Sequence, residues 1–382
     1  MKIQLRALGV IAIVLITSCV TRVIAAPPFV YQARVSYSKL ALTGEAQVQG
    51  GFYDPSVAFT PDGKVGVLAY SALLGSAKWN FPIGPYIQTH VAQSTDGGQS
   101  WRYLTTVNGS LDGSVTMQKL FGSSSMDGVW RYEVPSLVYD AGDPGREWKL
   151  FYHRYFWSKS KDRMPAFGWI ALKTASDPAG PWSPEIPLFG SQRLPPAPYH
   201  TAVNLNSLSP SLSDVLIYTE PGAYYRNGTI YLSLSALGMH GPEKIVLVAS
   251  RDHGTTWDFR GTLVTNADAQ ALGYKRLDGS AIAEDRGAVY FMASPEGDKA
   301  MHEGTFVVEF KDLDHGVLAR DSQGMLTPKK LIPCQAEIMS KPGCGQATYD
   351  QHDVRGLIMP QANFNDKPHI FQIWQSNVHL AD

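Results

Sequence analysis

The chain has 382 residues, with 33 Lys and Arg set against 34 Asp and Glu. That near-neutral balance, with no basic block anywhere, excludes a nucleic-acid binder that works by neutralising phosphates. Length alone permits two domains, but all-β single domains often run longer than average.

The N-terminus comes first in chain order. Lys2 and Arg6 precede an apolar run from Ala7 to Ile16. The run is short for a membrane span and suits a signal-peptide core, so residues 1–25 are expected to be a signal peptide. Ile16-Thr17-Ser18-Cys19 resembles a bacterial lipobox, with Ile in place of the usual Leu. The resemblance implies a lipid on Cys19 and a membrane-anchored lipoprotein, touching the membrane through that anchor only. A competing cut after Val23-Ile24-Ala25 would give a periplasmic or secreted protein. Export places the other two cysteines, Cys334 and Cys344, in an oxidising environment, which predicts a short-loop disulfide between them.

Residues 26–382 read as one all-β domain. Short apolar or alternating segments are separated by Gly, Pro, Asp and Asn, without long helical periodicity. Five units recur. Each starts with an acidic residue near Pro or Gly, then an apolar strand, a polar turn and a second apolar strand. Asp54-Pro55 opens the first, Glu133-Val134-Pro135 the second, Glu220-Pro221 the third, Asp278-Gly279 the fourth and His352-Asp353 the fifth. Asp62-Gly63 and Asn227-Gly228 are hairpin turns. The units begin about 60 to 90 residues apart, more than the roughly 40 to 50 of a bare propeller blade, so long loops must decorate them. The stretches from Gly109 to Gly128 and from Pro184 to Ser213 are expected to be those loops. A five-bladed β-propeller follows.

A shorter pattern appears twice. Ser94-Thr95-Asp96-Gly97-Gly98-Gln99-Ser100-Trp101 and Ser250-Arg251-Asp252-His253-Gly254-Thr255-Thr256-Trp257 both read S-x-D-x-G-x-x-W. The Asp can hydrogen-bond back onto its own turn, and the Trp can bury its ring on the hairpin beneath. The pattern resembles the Asp-box, or BNR repeat, of sialidase-like propellers, which implies a six-bladed alternative. Thr174 to Trp182 fills the same place in the second unit in variant form.

The five-unit layout also resembles the five-bladed propeller glycosidases, especially glycoside hydrolase family 43. Tyr53-Asp54-Pro55-Ser56-Val57 is similar to the strand that supplies that family's general base. The segment from Thr219 to Leu232, with Glu220 beside Pro221-Gly222 and the Asn227-Gly228 turn, is similar to the one that supplies its acid. The resemblance implies a hydrolase of glycosidic bonds with Asp54 as base, Glu220 as acid, and Glu133 or Asp278 as tuner. A second assignment stays open, with Asp278 as acid and Glu220 as tuner. No cofactor is implied beyond a structural Ca2+ on the axis, with His352 facing it. Tyr132-Glu133-Val134-Pro135 stands close to a sialidase segment, but Glu occupies the place of its Arg. Arg131, Arg276 and Arg355 are the candidates for a carboxylate-binding cluster.

The chemistry can be argued without any family. Unit-start residues project toward a propeller's axis, so Asp54, Glu133, Glu220, Asp278 and Asp353 are expected to share one funnel. Like charges there raise one another's pKa, which suits a protonated carboxyl working beside an ionised one. Trp79, Trp157 and Tyr224, with Arg276 and Arg355, are the expected substrate contacts. A glycan is the expected partner and a monomer the expected state. The rival reading is a non-catalytic carbohydrate-binding or surface-assembly propeller.

Overall fold

The computed structural model describes residues 30–46, 48–76, 81–118, 122–158, 163–190, 200–238, 243–297, 302–335, 342–366 and 369–382. The signal segment with Cys19, and Trp79, lie outside the described residues. The described chain folds into five antiparallel sheets arranged as propeller blades.

Blade 1 contains Gly51–Phe59, Gly66–Ser76, Phe81–Ser94 and Trp101–Asn108, with Leu42–Thr43 added in parallel at its edge. Blade 2 contains Ser123–Tyr139, Trp148–Ser158, Arg163–Ala175 and Ile186–Gly190. Blade 3 contains Val215–Arg226, Thr229–Gly238, Lys244–Ser250 and Asp258–Thr265. Blade 4 contains Arg276–Asp285, Ala288–Glu296, Thr305–Asp312 and Val317–Leu318, with Lys330–Ile332 also paired to its third strand. Blade 5 is shared between the chain ends. Pro342–Cys344, Ile358–Asn363 and Gln372–Ser376 come from the C-terminal side, and Tyr37–Lys39 closes the ring in register Tyr37↔Ser376.

Two expected loops carry strands. Leu111–Gln118 pairs with the start of the long strand Ser123–Tyr139, so most of the Gly109 to Gly128 stretch is a hairpin. The stretch from Pro184 to Ser213 contains the strand Ile186–Gly190 and two 3-10 turns, Leu205–Ser207 and Pro210–Leu212.

The innermost strands share one local device. Asp54, Val134, Glu220, Gly279 and Gln346 all have left-handed backbones, with φ of 48°, 52°, 52°, 54° and 51°. In the first four blades the strand register slips at this kink. The recurrence makes the kink an architectural bulge that re-aims side chains along the axis. Two residues after it, hydroxyls stitch neighbouring blades. Ser56 Oγ accepts from Leu137 N–H at 2.9 Å, Ser136 Oγ from Ala223 N–H at 2.7 Å, and Thr348 Oγ1 from Val57 N–H at 3.0 Å. The Pro-Ser dipeptides of the unit starts therefore serve assembly of the ring.

The two S-x-D-x-G-x-x-W turns form the same network. Ser94 and Ser250 hydroxyls donate to Asp96 and Asp252 at 2.7 and 2.8 Å, and Gly98 and Gly254 N–H groups donate to those serines at 2.9 and 2.8 Å. Ser100 and Thr256 close each turn onto the Asp. The Ser100 hydroxyl bond helps hold the Asp96 carboxyl below its ordinary range. Trp257 packs edge-on against Phe151 and Phe189 of blade 2, so its turn wedges two blades together. Cys334 and Cys344 form the expected disulfide. Among the described residues no helix is long and apolar enough to cross a membrane. Both facts are compatible with an exported protein.

Candidate active site

The kink sorts side chains into layers along the axis. Residues just before it, Tyr53, Glu133, Thr219, Asp278 and Gly345, all line a mouth of about 370 Å³ at one end. Of the kink residues themselves, Glu220 and Gln346 reach this mouth, while Asp54, Val134 and Gly279 border a narrow space of about 40 Å³ beneath it. The five unit-start acids are therefore not equivalent, which corrects the expectation of one shared funnel. Asp54 and Glu220 stand one residue later in their strands than Glu133 and Asp278. Asp353 is not on an innermost strand. It is buried where blades 1 and 5 meet, its carboxylate pressed on Gly98, and the blade 5 residue at the kink is Gln346.

Among the described residues the mouth holds five carboxyls, Glu133, Glu220, Glu243, Asp278 and Glu296, with a single arginine, Arg276. Arg276 binds three of them. Its Nε donates to Glu296 at 2.6 Å, its Nη1 to Glu243 at 3.1 Å, and its Nη2 lies 3.6 Å from Asp278. Burial works against that charge, yet Asp278, Glu243 and Glu296 together raise the Arg276 pKa. Three acids on one guanidinium leave a surplus. Burial, then the neighbouring Asp278 charge, pushes the Glu243 carboxyl up to about 7 against the pull of Arg276. Burial also holds the nearby His302 below its ordinary value, although Asp278 and Glu296 pull the other way.

The remaining acids are held differently. Glu133 accepts the Tyr53 hydroxyl at 2.8 Å and the Tyr155 hydroxyl at 2.5 Å. Burial and then the Glu133 charge raise Tyr53 well above its ordinary range, so it donates as a neutral phenol. Glu220 accepts the Gln346 side-chain amide at 2.8 Å. Asp278 accepts the Ser235 hydroxyl at 2.5 Å and the Gly279 N–H at 2.9 Å. Asp54 is 2% exposed and accepts the Ser71 hydroxyl at 2.9 Å and the Val134 N–H at 3.3 Å, beneath the floor of the mouth.

Other sequence candidates lie elsewhere. Tyr224 and His352 line a cavity of about 420 Å³ at the opposite end of the axis, because both stand past the kink of the axial layers. Arg355 is exposed, with its backbone N–H on Asp353, and does not line the mouth. Trp157 is buried under the Arg131 guanidinium, 4.1 Å from its ring centroid, and the mouth is lined by Tyr155 instead. Glu243, Glu296, His302 and Gln346 were not anticipated. Glu296 ends the second strand of blade 4, and Glu243 and His302 lie just before the third strands of blades 3 and 4, where no motif marks them. Gln346 carries the kink in a blade whose innermost segment shows no acidic signature.

The fit of an axial Ca2+ can be judged from the narrow space. It offers a single carboxylate, Asp54, beside Ser280, Gln346 and Tyr349, while the Ser56, Ser136 and Thr348 hydroxyls already accept backbone N–H groups and Ser280 Oγ pairs with Ser233 Oγ. Ca2+ takes roughly six to eight oxygens, so this donor set does not fit it. A second cluster, Asp140, Asp143 and His253, has ligand-like spacing. It already holds the buried Lys149 ammonium, 2.5 Å from Asp143 and 3.6 Å from Asp140.

No protein-family model matches the chain, and no curated protein sequence matches it. Solved structures do. One is Zg3597, a family 117 glycoside hydrolase of the marine bacterium Zobellia galactanivorans, at a TM-score of 0.51 and 13% identity, with 91% of this chain and 92% of that one covered. Another is the Bombyx mori GH32 β-fructofuranosidase BmSUC1, at a TM-score of 0.51 and 12% identity, with 89% of this chain and 61% of that one covered. At such identities the likeness is one of fold.

Proposed function

We propose that the chain hydrolyses glycosidic bonds at the acid-lined mouth. One observation carries this reading: five carboxyls share that mouth with one arginine, and Glu243 among them keeps its proton up to about pH 7. Glycoside hydrolysis needs one protonated carboxyl to protonate the leaving oxygen and one ionised carboxyl to activate water or attack carbon. Glu243 is the proton donor in this proposal and Asp278 its tuner. Glu220 is the ionised partner, because a donated amide hydrogen bond favours the charged form. Asp54 was expected to be the base, but it borders the space under the floor, so that place passes to Glu220. Glu133, bridging two phenols, shapes the wall.

The structural neighbours, a family 117 glycoside hydrolase and a β-fructofuranosidase, support a glycan substrate, and the shared turn networks support reading both S-x-D-x-G-x-x-W turns as Asp-boxes. A sialidase is disfavoured, since Arg276 is already occupied by three carboxylates. Release of reducing ends across a glycan panel, followed against pH, tests the assignment. The alkaline limb should fall near 7, and Glu243→Gln should remove about 100-fold or more of the rate. A variant with full rate and an unchanged limb contradicts it.

A glycan-binding propeller without turnover is the second reading. It is favoured by Asp54, which the Val134 N–H and the Ser71 hydroxyl engage beneath the floor. In that case the wild type binds glycan and releases no reducing ends. Lipidation at Cys19 belongs to the proposal as well, with incorporation of labelled fatty acid lost in Cys19→Ala as its check.

A further inference from the structure

Gln346 belongs to blade 5, yet its side-chain amide donates to Glu220 of blade 3 at 2.8 Å, passing over blade 4. The reason lies in the residue beneath it. At the kink of blade 4 stands Gly279, and a Cβ there would sit 2.4 Å from Gln346 Cγ. Any other residue at 279 would block the crossing. The backbone under Gln346 is fixed from three sides. Its N–H donates to Ser294 Oγ at 2.6 Å, the Cys344 N–H donates to the His302 carbonyl at 3.1 Å, and Cys344 is tied to Cys334.

From this geometry we infer that Gln346 is the positioning residue for Glu220: a tether from blade 5, admitted by Gly279, that orients the Glu220 carboxylate at the floor of the mouth and keeps it ionised. The inference rests on the reading of the mouth as a reactive site, but it concerns the carboxylate itself and can be tested without turnover. A donated amide N–H stabilises a carboxylate against its acid, so its loss must make that carboxyl easier to protonate. A purely structural glutamine would not move that equilibrium.

The measurement is a carbon-13 titration of the Glu220 carboxyl in the full chain, its signal assigned by its loss in Glu220→Gln. The test variant is Gln346→Asn. Asn tolerates the left-handed backbone at 346, and its side chain is one methylene too short to reach Glu220. The midpoint should rise by about one pH unit, a tenfold change in proton concentration. Gln346→Glu places a like charge at the tether and should raise it further. An unchanged midpoint in Gln346→Asn overturns the inference, whatever Gln346→Glu shows. If no glycan is ever cleaved, the hydrolase reading fails while this titration still decides the role of Gln346.

Discussion

The two ends of the propeller axis are built from the same innermost strands and differ in how their charges are settled. The end reached past the kink holds the larger cavity, about 420 Å³ against about 370 Å³. Its polar groups are matched one to another. The Tyr224 hydroxyl donates to Glu284 at 2.8 Å, and Arg226 Nε lies 3.4 Å from the same carboxylate. Asp350 is lifted by burial, but its two oxygens accept the N–H groups of Phe59 and His352. At the other end five carboxyls meet one guanidinium, and one of them stays protonated near neutral pH. Cavity size does not separate the two ends. Unbalanced acidity does, and acid–base chemistry needs that imbalance.

The largest expected effect breaks the comparison at the acid end. Glu220→Gln should lower turnover by about 10²–10⁴-fold while glycan binding persists, as read by initial rates and calorimetry. A loss of binding equal to the loss of rate would instead make Glu220 a binding residue.

A second effect sets both ends against the ring seam. Gly98 has φ of +81°, and a Cβ there would stand 2.5 Å from the Asp353 carboxylate. Gly98→Ala should cost about 1–3 kcal/mol in chemical denaturation, through backbone strain and a forced shift of Asp353. Asp353 itself makes stability depend on pH. Burial pushes its pKa up to about 7, well above the ordinary carboxylate value. The folded state therefore binds a proton that the unfolded state has released. That contribution is fully present below about pH 4 and is lost as pH rises through 7. Asp353→Asn should melt higher than the wild type above pH 7, with the gap narrowing toward pH 5. Glu243 has the same sign but is common to both proteins, so it cancels in the difference. The smallest effect belongs to the opposite end. Tyr224→Phe should leave turnover within about twofold and cost about 1 kcal/mol of stability for the lost bond to Glu284.

Much of the architecture was legible in the chain. The Pro-containing strand starts of the first three blades recur because those blades share the kink, and Asn227-Gly228 marks the two-residue hairpin of blade 3, as Arg286-Gly287 does in blade 4. The paired cysteines were legible from compartment and count. The closing strand, Tyr37–Lys39, was not, since three residues at a sheet edge leave no periodic signal. The site was legible in part. Glu133, Glu220, Asp278 and Arg276 do line one mouth, but Asp54, at the same kink position as Glu220, borders the space beneath it, and Tyr224 and His352 lie at the far end. A one-residue offset reverses the direction a strand side chain faces, and no single unit reveals where the bulge falls. Glu296 faces Arg276 across the innermost hairpin of blade 4, whereas Glu243 precedes the strand Lys244–Ser250 of blade 3 and reaches Arg276 only through the packing of neighbouring blades.

The most direct test of the acid-lined mouth as the reactive centre is reducing-end release from a glycan panel by the wild type and by Glu220→Gln, side by side at pH 6. The account predicts cleavage of at least one glycan by the wild type and its loss in the variant, with binding of that glycan retained. Cleavage at equal rates by both proteins, or binding by the wild type with no cleavage of any glycan, would contradict it.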